Sequence, residues 1–257
     1  VCGPCSEIYF DTTPGLPLPD NQGMEELPDR FVEVGNCVFT QFEREDGGVL
    51  AALPHKNIDV GLGLERLAAI AQDVPNNFET DIFVPCLSEL ESITSISYET
   101  NSENGIRMRR IADHSRAVFF CIADGVVPAR EGRGYVVRKI LRRAIRDAIE
   151  MGVKEVFLSK LLKTFQNTMG ECYPEIIEQE DTIKALVDGE ERRFREVYSV
   201  GIARLKEEIE AIKLKGEEKF SGETAFELHD TFGFPLDTTT VIAQEAGLAV
   251  DVGEFEK

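Results

Sequence analysis

The stretch NIDVGLGLER, residues 57–66, contains the change from extended chain to helix that decides the fold. Its first four residues read as an extended segment, and the spacing of the apolar residues that follow predicts a helix. Between them, Gly61 and Gly63 let the backbone pass close to a ligand or to another strand. The stretch is not a dinucleotide-binding fingerprint, because Glu65 and Arg66 follow Gly63 where that pattern leads to its third glycine, and the third glycine is missing.

The chain on the N-terminal side of this stretch reads as strands joined by short connections. Extended segments are predicted at residues 7–10, 31–34, 37–42 and 49–53. A bend is predicted at Gly35 and Asn36, and Gly47 with Gly48 predicts a turn before the last segment. This half of the chain is therefore expected to form an antiparallel sheet.

The chain on the C-terminal side is helical in pattern. Apolar residues three and four positions apart predict helices over residues 110–123, 134–150 and 181–214. A capping box at Thr224 and Glu227 and an N-cap at Asp237 predict two shorter helices. Helix ends are predicted at Gly125, Gly152, Gly233 with Pro235, and Gly247.

The two kinds of pattern meet near residue 100. Residues 92–104 are polar and unpatterned, as expected for a connection between domains. We therefore expect an α+β protein, in which residues 1–100 hold the antiparallel sheet and residues 101–257 form a mainly helical domain. A chain of 257 residues, 42% of them hydrophobic, is long enough for one large or two modest domains with buried cores.

Charge is distributed unevenly over a chain whose net charge is −19. Between Arg107 and Arg146 stand eleven basic and three acidic residues, whereas the rest of the chain has seventeen basic and forty-four acidic ones. Such a basic island favours contact with a polyanion, the alternative being a solvated helix face. No general basic coat for nucleic acid is present, and no run of eighteen apolar residues predicts a membrane span.

Cys2 and Cys5 have the spacing of a thiol–disulfide exchanger. The context favours a tight structural turn instead, because a strand is predicted after them and zinc would need two further ligands. Since His55, His114 and His229 lack partners at helical spacing, no metal site is expected. The six cysteines do not resemble a disulfide framework, and no signal peptide is visible, so a cytoplasmic location is expected.

Asp59 and Arg66 place a carboxylate and a guanidinium on either side of the glycine gap. Such groups can hold an ammonium and a phosphate, respectively. The alternative, which spacing alone favours, is an ordinary salt bridge between the two side chains.

Several stretches of this sequence occur in the same order in one family of enzymes. They are GPCSEI at residues 3–8, NCVFTQF at 36–42, NIDVGLGLER at 57–66, IADHSR at 111–116, GRGYVVRKILRRA at 132–144 and DTFGFP at 230–235. Any one of them is weakly specific, but their order and combination over the whole chain resemble the alanyl-tRNA synthetases. The resemblance implies the C-terminal part of a class II synthetase core, including motif 3, followed by a helical tRNA-recognition region.

The resemblance further implies the activation of alanine with ATP and Mg²⁺ and its transfer to the 3′ end of tRNA(Ala). It makes Asp59 and Arg66 the catalytic residues, with Asp59 on the alanine ammonium and Arg66 on an ATP phosphate. Asn36 and Gly61 join Asp59 in the alanine pocket, and Gly63 lies with Arg66 at the ATP. A fixed guanidinium suits this reaction, because adenylate formation builds charge on phosphate.

Contacts with the tRNA acceptor stem are assigned by the same resemblance to the helical region. The phosphate-contact candidates are Arg138, Lys139, Arg142, Arg143 and Arg146. Asp230 stands where the family has an aspartate that reads the acceptor-stem identity pair. Arg130 departs from the asparagine that the family usually uses for the same task, and Gly35 departs from a tryptophan found in many members.

By the same resemblance, motifs 1 and 2, with a second ATP-binding arginine, precede residue 1. The zinc-bearing editing domain of the family lies beyond Lys257. The chain alone is therefore expected not to activate alanine. The alternative functions are a non-catalytic RNA-binding module built on the helical region and a thiol oxidoreductase.

Overall fold

The computed structural model describes residues 1–18, 23–28, 30–217, 219–232, 234 and 236–255. The chain divides into two compact units, Val1–Val84 and Pro85–Lys257. The polar stretch at residues 92–104 lies inside the second unit. A small antiparallel sheet in the first unit and helices in the second make the fold α+β, as the sequence predicts.

The first unit is built on a three-stranded antiparallel sheet in the order β1-β2-β3. The strands are β1 (Cys5–Asp11), β2 (Phe31–Arg44) and β3 (Leu50–Leu62), and helix α1 (Leu64–Ala71) begins directly after Gly63. The predicted change from strand to helix is therefore confirmed. The predicted bend at Gly35 and Asn36 is wrong, because both residues pair with β1 and with β3 inside one continuous strand.

An irregularity nevertheless lies beside the predicted bend. The pairing of β1 with β2 shifts between Ile8, which faces Gly35, and Tyr9, which faces Glu33. Val34 is therefore an extra residue in β2, which is the definition of a β-bulge. Because side chains alternate along a regular strand, this extra residue changes which of them share a face.

Gly35 is required by the close approach of β3. A Cβ atom at this position would overlap the Leu62 side chain and would lie 2.7 Å from the Gly61 carbonyl oxygen. A tryptophan here, as the family resemblance leads one to expect, would have to displace both. The position of the Leu62 side chain in this chain therefore depends on glycine at position 35.

Within the described residues the chain forms ten α-helices and five strands, and most of the helices lie in the second unit. They are α2 (Val84–Thr94), α3 (Glu103–Ala123), α4 (Gly132–Glu150), α5 (Leu162–Met169), α6 (Glu175–Glu178), α7 (Glu180–Lys215), α8 (Gly222–Phe232), α9 (Leu236–Glu245) and α10 (Val252–Phe255). Two short parallel strands, β4 (Lys219–Phe220) and β5 (Ala249–Val250), pair with each other. The three long predicted helices are confirmed as α3, α4 and α7.

The core of the second unit forms where α3, α4 and α7 pack together. Each helix contributes an apolar stripe of fully buried side chains, as the spacing of apolar residues predicts. Representative members are Met108, Ile111 and Phe119 of α3, Leu141 and Ile145 of α4, and Phe194 and Leu205 of α7. Among the helices in the described ranges, none combines the length and the apolar character needed to cross a bilayer.

Helix ends in the second unit follow local chemistry that the sequence only partly revealed. Gly152, just beyond α4, has the positive φ of 89° that favours glycine after a helix. Helix α8 begins earlier than the capping box predicted, because the Ser221 hydroxyl accepts the backbone N–H groups of Glu223 and Thr224. Asp237 lies within α9 rather than before it. The helix end predicted at Gly233 and Pro235 falls outside the described residues.

Candidate functional site

One face of the three-stranded sheet carries residues that the sequence singled out in the first unit, and it is called the polar face below. Register places Asn36 opposite Gly61 and Val38 opposite Asp59. Paired residues share a face, and residues two positions apart on a strand share it as well. Asn36, Asp59 and Gly61 therefore lie on one face of the sheet.

The β-bulge brings Glu33 to the same face. In a regular strand, residues three positions apart point to opposite sides, yet the Asn36 Nδ2 donates to Glu33 Oε1 at 3.2 Å. The extra residue Val34 accounts for this contact. Sequence reasoning missed Glu33, because no feature of the sequence announces a bulge between two otherwise regular segments.

Arg66 lies in the first turn of α1 and reaches back to β2. Its Nη1 donates to the Glu33 carbonyl oxygen and lies 3.8 Å from Glu33 Oε2. The partner of Arg66 is thus Glu33 rather than Asp59, which corrects the salt bridge that spacing favoured. The Arg66 side chain remains 46% exposed, so it is open to a ligand.

Gly63 connects the strand to this arginine. Its backbone N–H donates to the Val34 carbonyl oxygen at 2.9 Å, which fixes the start of α1 against β2. A Cβ at Gly63 would lie 3.2 Å from Arg66 Cδ, a crowded distance. Glycine therefore leaves room for the stem of Arg66 as it turns toward the sheet.

The polar face carries negative charge around these residues. The Tyr9 hydroxyl donates to the Glu7 carboxylate. This hydrogen bond, with smaller contributions from desolvation and from the charge of Glu7, Glu33 and Glu25, raises the pKa of Tyr9 to about 12. Acceptors and negative charge of this kind suit a cationic group such as an ammonium.

The basic island of the second unit is only partly exposed. From α4, Arg138 Nε lies 2.9 Å and Arg142 Nε 2.7 Å from Glu190 Oε1 of α7. Arg146 lies 2.8 Å from Glu245 of α9, and its side chain is only 4% exposed. Part of the basic face of α4 is therefore packed against acidic partners, because charged groups can be buried when they are paired.

The Glu190 carboxylate is held ionised by its partners. Burial alone would raise the pKa of Glu190, but the nearby Arg142 and Arg138 guanidiniums outweigh it and lower that pKa below its usual value. The side chains of Glu190 and Arg142 are 7% and 9% exposed. This ion-paired cluster joins α4 to α7 and belongs to the core rather than to a binding surface.

The remaining tRNA-contact candidates lie on the surface of the second unit. Lys139, Arg143, Arg130 and Asp230 are exposed. Partial desolvation of the guanidinium, together with the Arg110 and Arg146 charges, lowers the pKa of Arg143, as expected for a cation in a positive environment.

Arg130 lies in the loop between α3 and α4. Gly134 lets this loop pack against the first turn of α4, because a Cβ there would overlap the Val127 carbonyl oxygen. The loop is also tied by a hydrogen bond from the Ala129 N–H to the Gly134 carbonyl oxygen at 3.0 Å. Arg130 is therefore presented from a loop with a defined path.

The residues around Cys2 and Cys5 are extended rather than a tight turn. The Cys2 N–H donates to the Phe42 carbonyl oxygen at 2.7 Å, and a Cβ at Gly3 would overlap the Phe39 carbonyl. All six cysteines are free. The segment therefore lies along β2, where Gly3 is needed for the close approach.

Metal ligands do not cluster in the part of the chain that the structure describes. No three His, Cys, Asp or Glu side chains come together there in a way that could hold an ion. The described residues therefore form no protein cage for the Mg²⁺ that the resemblance implies. ATP fits better, because Arg66 is an exposed guanidinium at a helix start beside a polar sheet face.

Comparison with known proteins agrees with the fold. The profile of the family described as tRNA synthetases class II (A) matches residues 1–257. The chain belongs to this family of class II tRNA synthetases.

Its relatives within the family are named more narrowly. The chain is 42% identical over 261 residues to an alanine–tRNA ligase of Latilactobacillus sakei, covering 100% of the chain and 30% of the relative. It is 44% identical over 258 residues to that of Clostridioides difficile and 43% identical over 256 residues to that of Thermotoga maritima. These matches cover 100% and 99% of the chain and 29% of each relative. The chain thus spans about three tenths of the length of these relatives.

Proposed function

We propose that this chain is part of an alanine–tRNA ligase, which activates alanine with ATP and transfers it to tRNA(Ala) in the cytoplasm. The observation that carries the proposal is the polar face of the sheet, where Asn36, Asp59 and Gly61 lie together. Arg66 stands at the adjoining helix start. The named relatives support the choice of amino acid and of reaction.

The proposed chemistry needs no nucleophile from the protein. The carboxylate of alanine attacks the α-phosphorus of ATP, the bond to the β-phosphate oxygen breaks, and pyrophosphate leaves as alanyl-adenylate forms. The Asp59 carboxylate and the side-chain carbonyl oxygen of Asn36 bind the alanine ammonium. Gly61 has no side chain and leaves room for the methyl group of alanine. Arg66 stabilises negative charge that develops on phosphate in the transition state.

Mg²⁺, when bound with ATP, neutralises phosphate charge. The ammonium is held by acceptors on a rigid sheet, so binding orients the substrate carboxylate before the reaction. A hydroxyl from the terminal ribose of tRNA then attacks the alanyl carbonyl carbon, and AMP leaves. The family resemblance supports both steps.

Alanine-dependent ATP–pyrophosphate exchange by the full-length protein tests this function. We expect exchange with alanine and a much lower rate with the other nineteen amino acids. Glycine and serine differ from alanine by one small group and are expected to be rejected least well, since such a group is worth about 1–3 kcal/mol. A full-length protein that is silent with alanine would reject the proposal.

The 257-residue chain is proposed to be inactive alone in the same assay. The reason is that the resemblance locates a second ATP-binding arginine outside residues 1–257. Detectable alanyl-adenylate from the purified chain would contradict this part of the proposal.

The exposed cations of α4 are proposed to contact phosphates of the acceptor stem. We expect the double substitution Lys139→Ala and Arg143→Ala to weaken tRNA binding at low salt. The slope of log affinity against log salt should also fall by about one for each phosphate that the variant no longer neutralises. Filter binding over a salt series measures both quantities.

One control variant makes this measurement specific. Arg192→Ala removes an exposed cation of α7 whose side chain is 62% exposed, and it should change neither the affinity nor the slope. Arg142 and Arg146 are left out of the test because both are buried in ion pairs. Equal reductions in affinity by Arg192→Ala and by the α4 variant would overturn the assignment.

A non-catalytic RNA-binding module is the second candidate, and the exposed cations Lys139 and Arg143 favour it. Like the ligase, such a module predicts tRNA binding that survives Asp59→Ala. Unlike the ligase, it predicts no alanine-dependent exchange by the full-length protein. The exchange assay therefore separates the two.

A further inference from the structure

Glu33 is a carboxylate on the substrate-facing side of the sheet to which neither the sequence patterns nor the proposed reaction assigns a task. It touches two residues of the site, Asn36 through its carboxylate and Arg66 through its backbone carbonyl. Its side chain is 34% exposed, so burial of apolar surface does not explain its position. The bulge sets its backbone, and the hydrogen bonds to these two partners hold it there.

The contact with Asn36 determines which end of the carboxamide is presented to a ligand. A carboxamide has a donor end and an acceptor end, which are nearly the same size. Because a carboxylate accepts only, Glu33 Oε1 binds the Nδ2 end, at 3.2 Å. Asn36 Oδ1 is then directed to Gly61, lying 3.4 Å from where a Cβ of that glycine would be.

The opposite orientation of the amide would harm binding of a cation. With Nδ2 toward Gly61, two N–H donors would face the ammonium that Asp59 attracts. With Oδ1 in that place, Asn36 and Asp59 both offer acceptors on one face. The carboxylate of Glu33 favours this second arrangement and adds negative charge nearby.

The contact with Arg66 depends less on the Glu33 side chain. Arg66 Nη1 donates to the backbone carbonyl of Glu33, which any residue at this position would supply. The carboxylate oxygen Oε2 is farther away, at 3.8 Å from the same nitrogen. A change of the Glu33 side chain should therefore affect Asn36 more than Arg66.

We propose that Glu33 is a positioning residue for the amino acid, which acts through Asn36 by holding its carboxamide oxygen toward the substrate ammonium. This inference rests on the proposed function. It predicts that Glu33 contributes to binding of alanine and much less to binding of ATP.

Steady-state exchange kinetics of the full-length enzyme with Glu33→Gln test the inference. Glutamine has the size of glutamate, but its carboxamide can also offer a donor to Asn36. The Asn36 carboxamide is then free to adopt the opposite orientation. We expect KM for alanine to rise about tenfold, the effect of one hydrogen bond to a charged group, with KM for ATP and kcat within about twofold. Glu43→Gln, on the exposed end of β2, is the matched control and should leave all three constants unchanged.

A reversed pair provides the second test. In Glu33→Gln/Asn36→Asp the glutamine can donate to the new carboxylate, whose second oxygen is free to face the ammonium. The pair keeps one negative charge, and we expect KM for alanine to return to within about threefold of the wild-type value. This recovery would not follow if Glu33 only stabilised the fold.

The outcomes separate the inference from the proposed function. Wild-type enzyme that is silent with alanine rejects the function itself. Active wild-type enzyme whose KM for alanine is unchanged by Glu33→Gln overturns the inference alone. A rise in KM for alanine that the reversed pair fails to reduce also overturns the inference. Thermal melting of each variant shows that the comparison is made on folded protein.

Discussion

Replacing Arg66 with alanine in the full-length protein lowers the rate of alanine-dependent ATP–pyrophosphate exchange by about 10²–10³-fold. The effect is expected in kcat, because the guanidinium acts on charge that develops on phosphate in the transition state. Arg66 is suited to this task, since Glu33 of β2 already holds it in place before a ligand arrives. No reorganisation of the arginine is then required during the reaction.

Two variants make the Arg66 result specific. Arg66→Lys keeps the charge but not the planar fork of donors, so it should recover only part of the rate. Arg44→Ala removes an exposed arginine at the far end of β2 and should leave the exchange rate unchanged. An Arg66→Ala enzyme within about threefold of wild type would remove this residue from the mechanism.

Replacing Glu190 with alanine destabilises the second unit by about 3–5 kcal/mol. The substitution removes the Glu190 carboxylate from beside the Arg142 guanidinium, which is 9% exposed, in the contact between α4 and α7. Removing one member of a buried ion pair is costly, even where the complete ion pair adds little net stability. Chemical denaturation followed by helical circular dichroism measures the difference.

Glu207→Ala on the same helix is the control for Glu190. Its carboxylate is 72% exposed and lies 3.7 Å from Arg204, so its removal should change the unfolding free energy by less than about 1 kcal/mol. Equal effects of the two substitutions would show that burial of the Glu190 cluster has no energetic importance.

The Glu190 cluster also makes stability depend on pH. The pKa of Glu190 is lower in the folded chain than its ordinary value of 4.5. Its contribution is therefore present above the unfolded pKa and is lost as the pH falls through the folded pKa. Below about pH 4.5 the unfolding free energy of the wild type should fall more steeply than that of Glu190→Gln.

The sequence predicted those parts of the fold that depend on local periodicity. The long helices α3, α4 and α7 follow from the spacing of apolar residues, and their apolar stripes are buried as expected. The predicted extended segments of the first unit fall in its strands, although residues 31–34 and 37–42 form the single strand β2. The start of α8 was misplaced, because the Ser221 hydroxyl caps the helix ahead of the capping box predicted at Thr224 and Glu227. Two neighbouring cap patterns compete, and the sequence does not rank them.

The candidate site was predictable only where strand register is simple. Asn36, Asp59 and Gly61 share a face because antiparallel pairing continues without interruption between β2 and β3 at that point. Glu33 reaches the face through a bulge, and the partner of Arg66 depends on that bulge too. The contact of Arg66 with Glu33 joins residues 33 positions apart and depends on tertiary structure.

The basic island shows a second limit of inferring surface charge from sequence. Helical spacing separates Arg138, Arg142 and Arg146 from the apolar residues of α4, but a face of basic side chains is not always exposed to solvent. Glu190 and Glu245 come from helices far along the chain and cover part of this face. The surface left for a polyanion is smaller than the number of basic residues suggests.

The extra residue Val34 has a consequence for how this chain can change length during evolution. Deleting one residue between Glu33 and Gly35 would restore regular alternation, and Glu33 and Asn36, then two positions apart, would still share a face. The deletion would instead remove the Val34 carbonyl, which accepts the Gly63 N–H at the start of α1. The connection at Asp46–Gly48 carries no such coupling, because it lies between strands at the surface. Relatives are therefore expected to differ in length at that connection and to keep the spacing of residues 33–36.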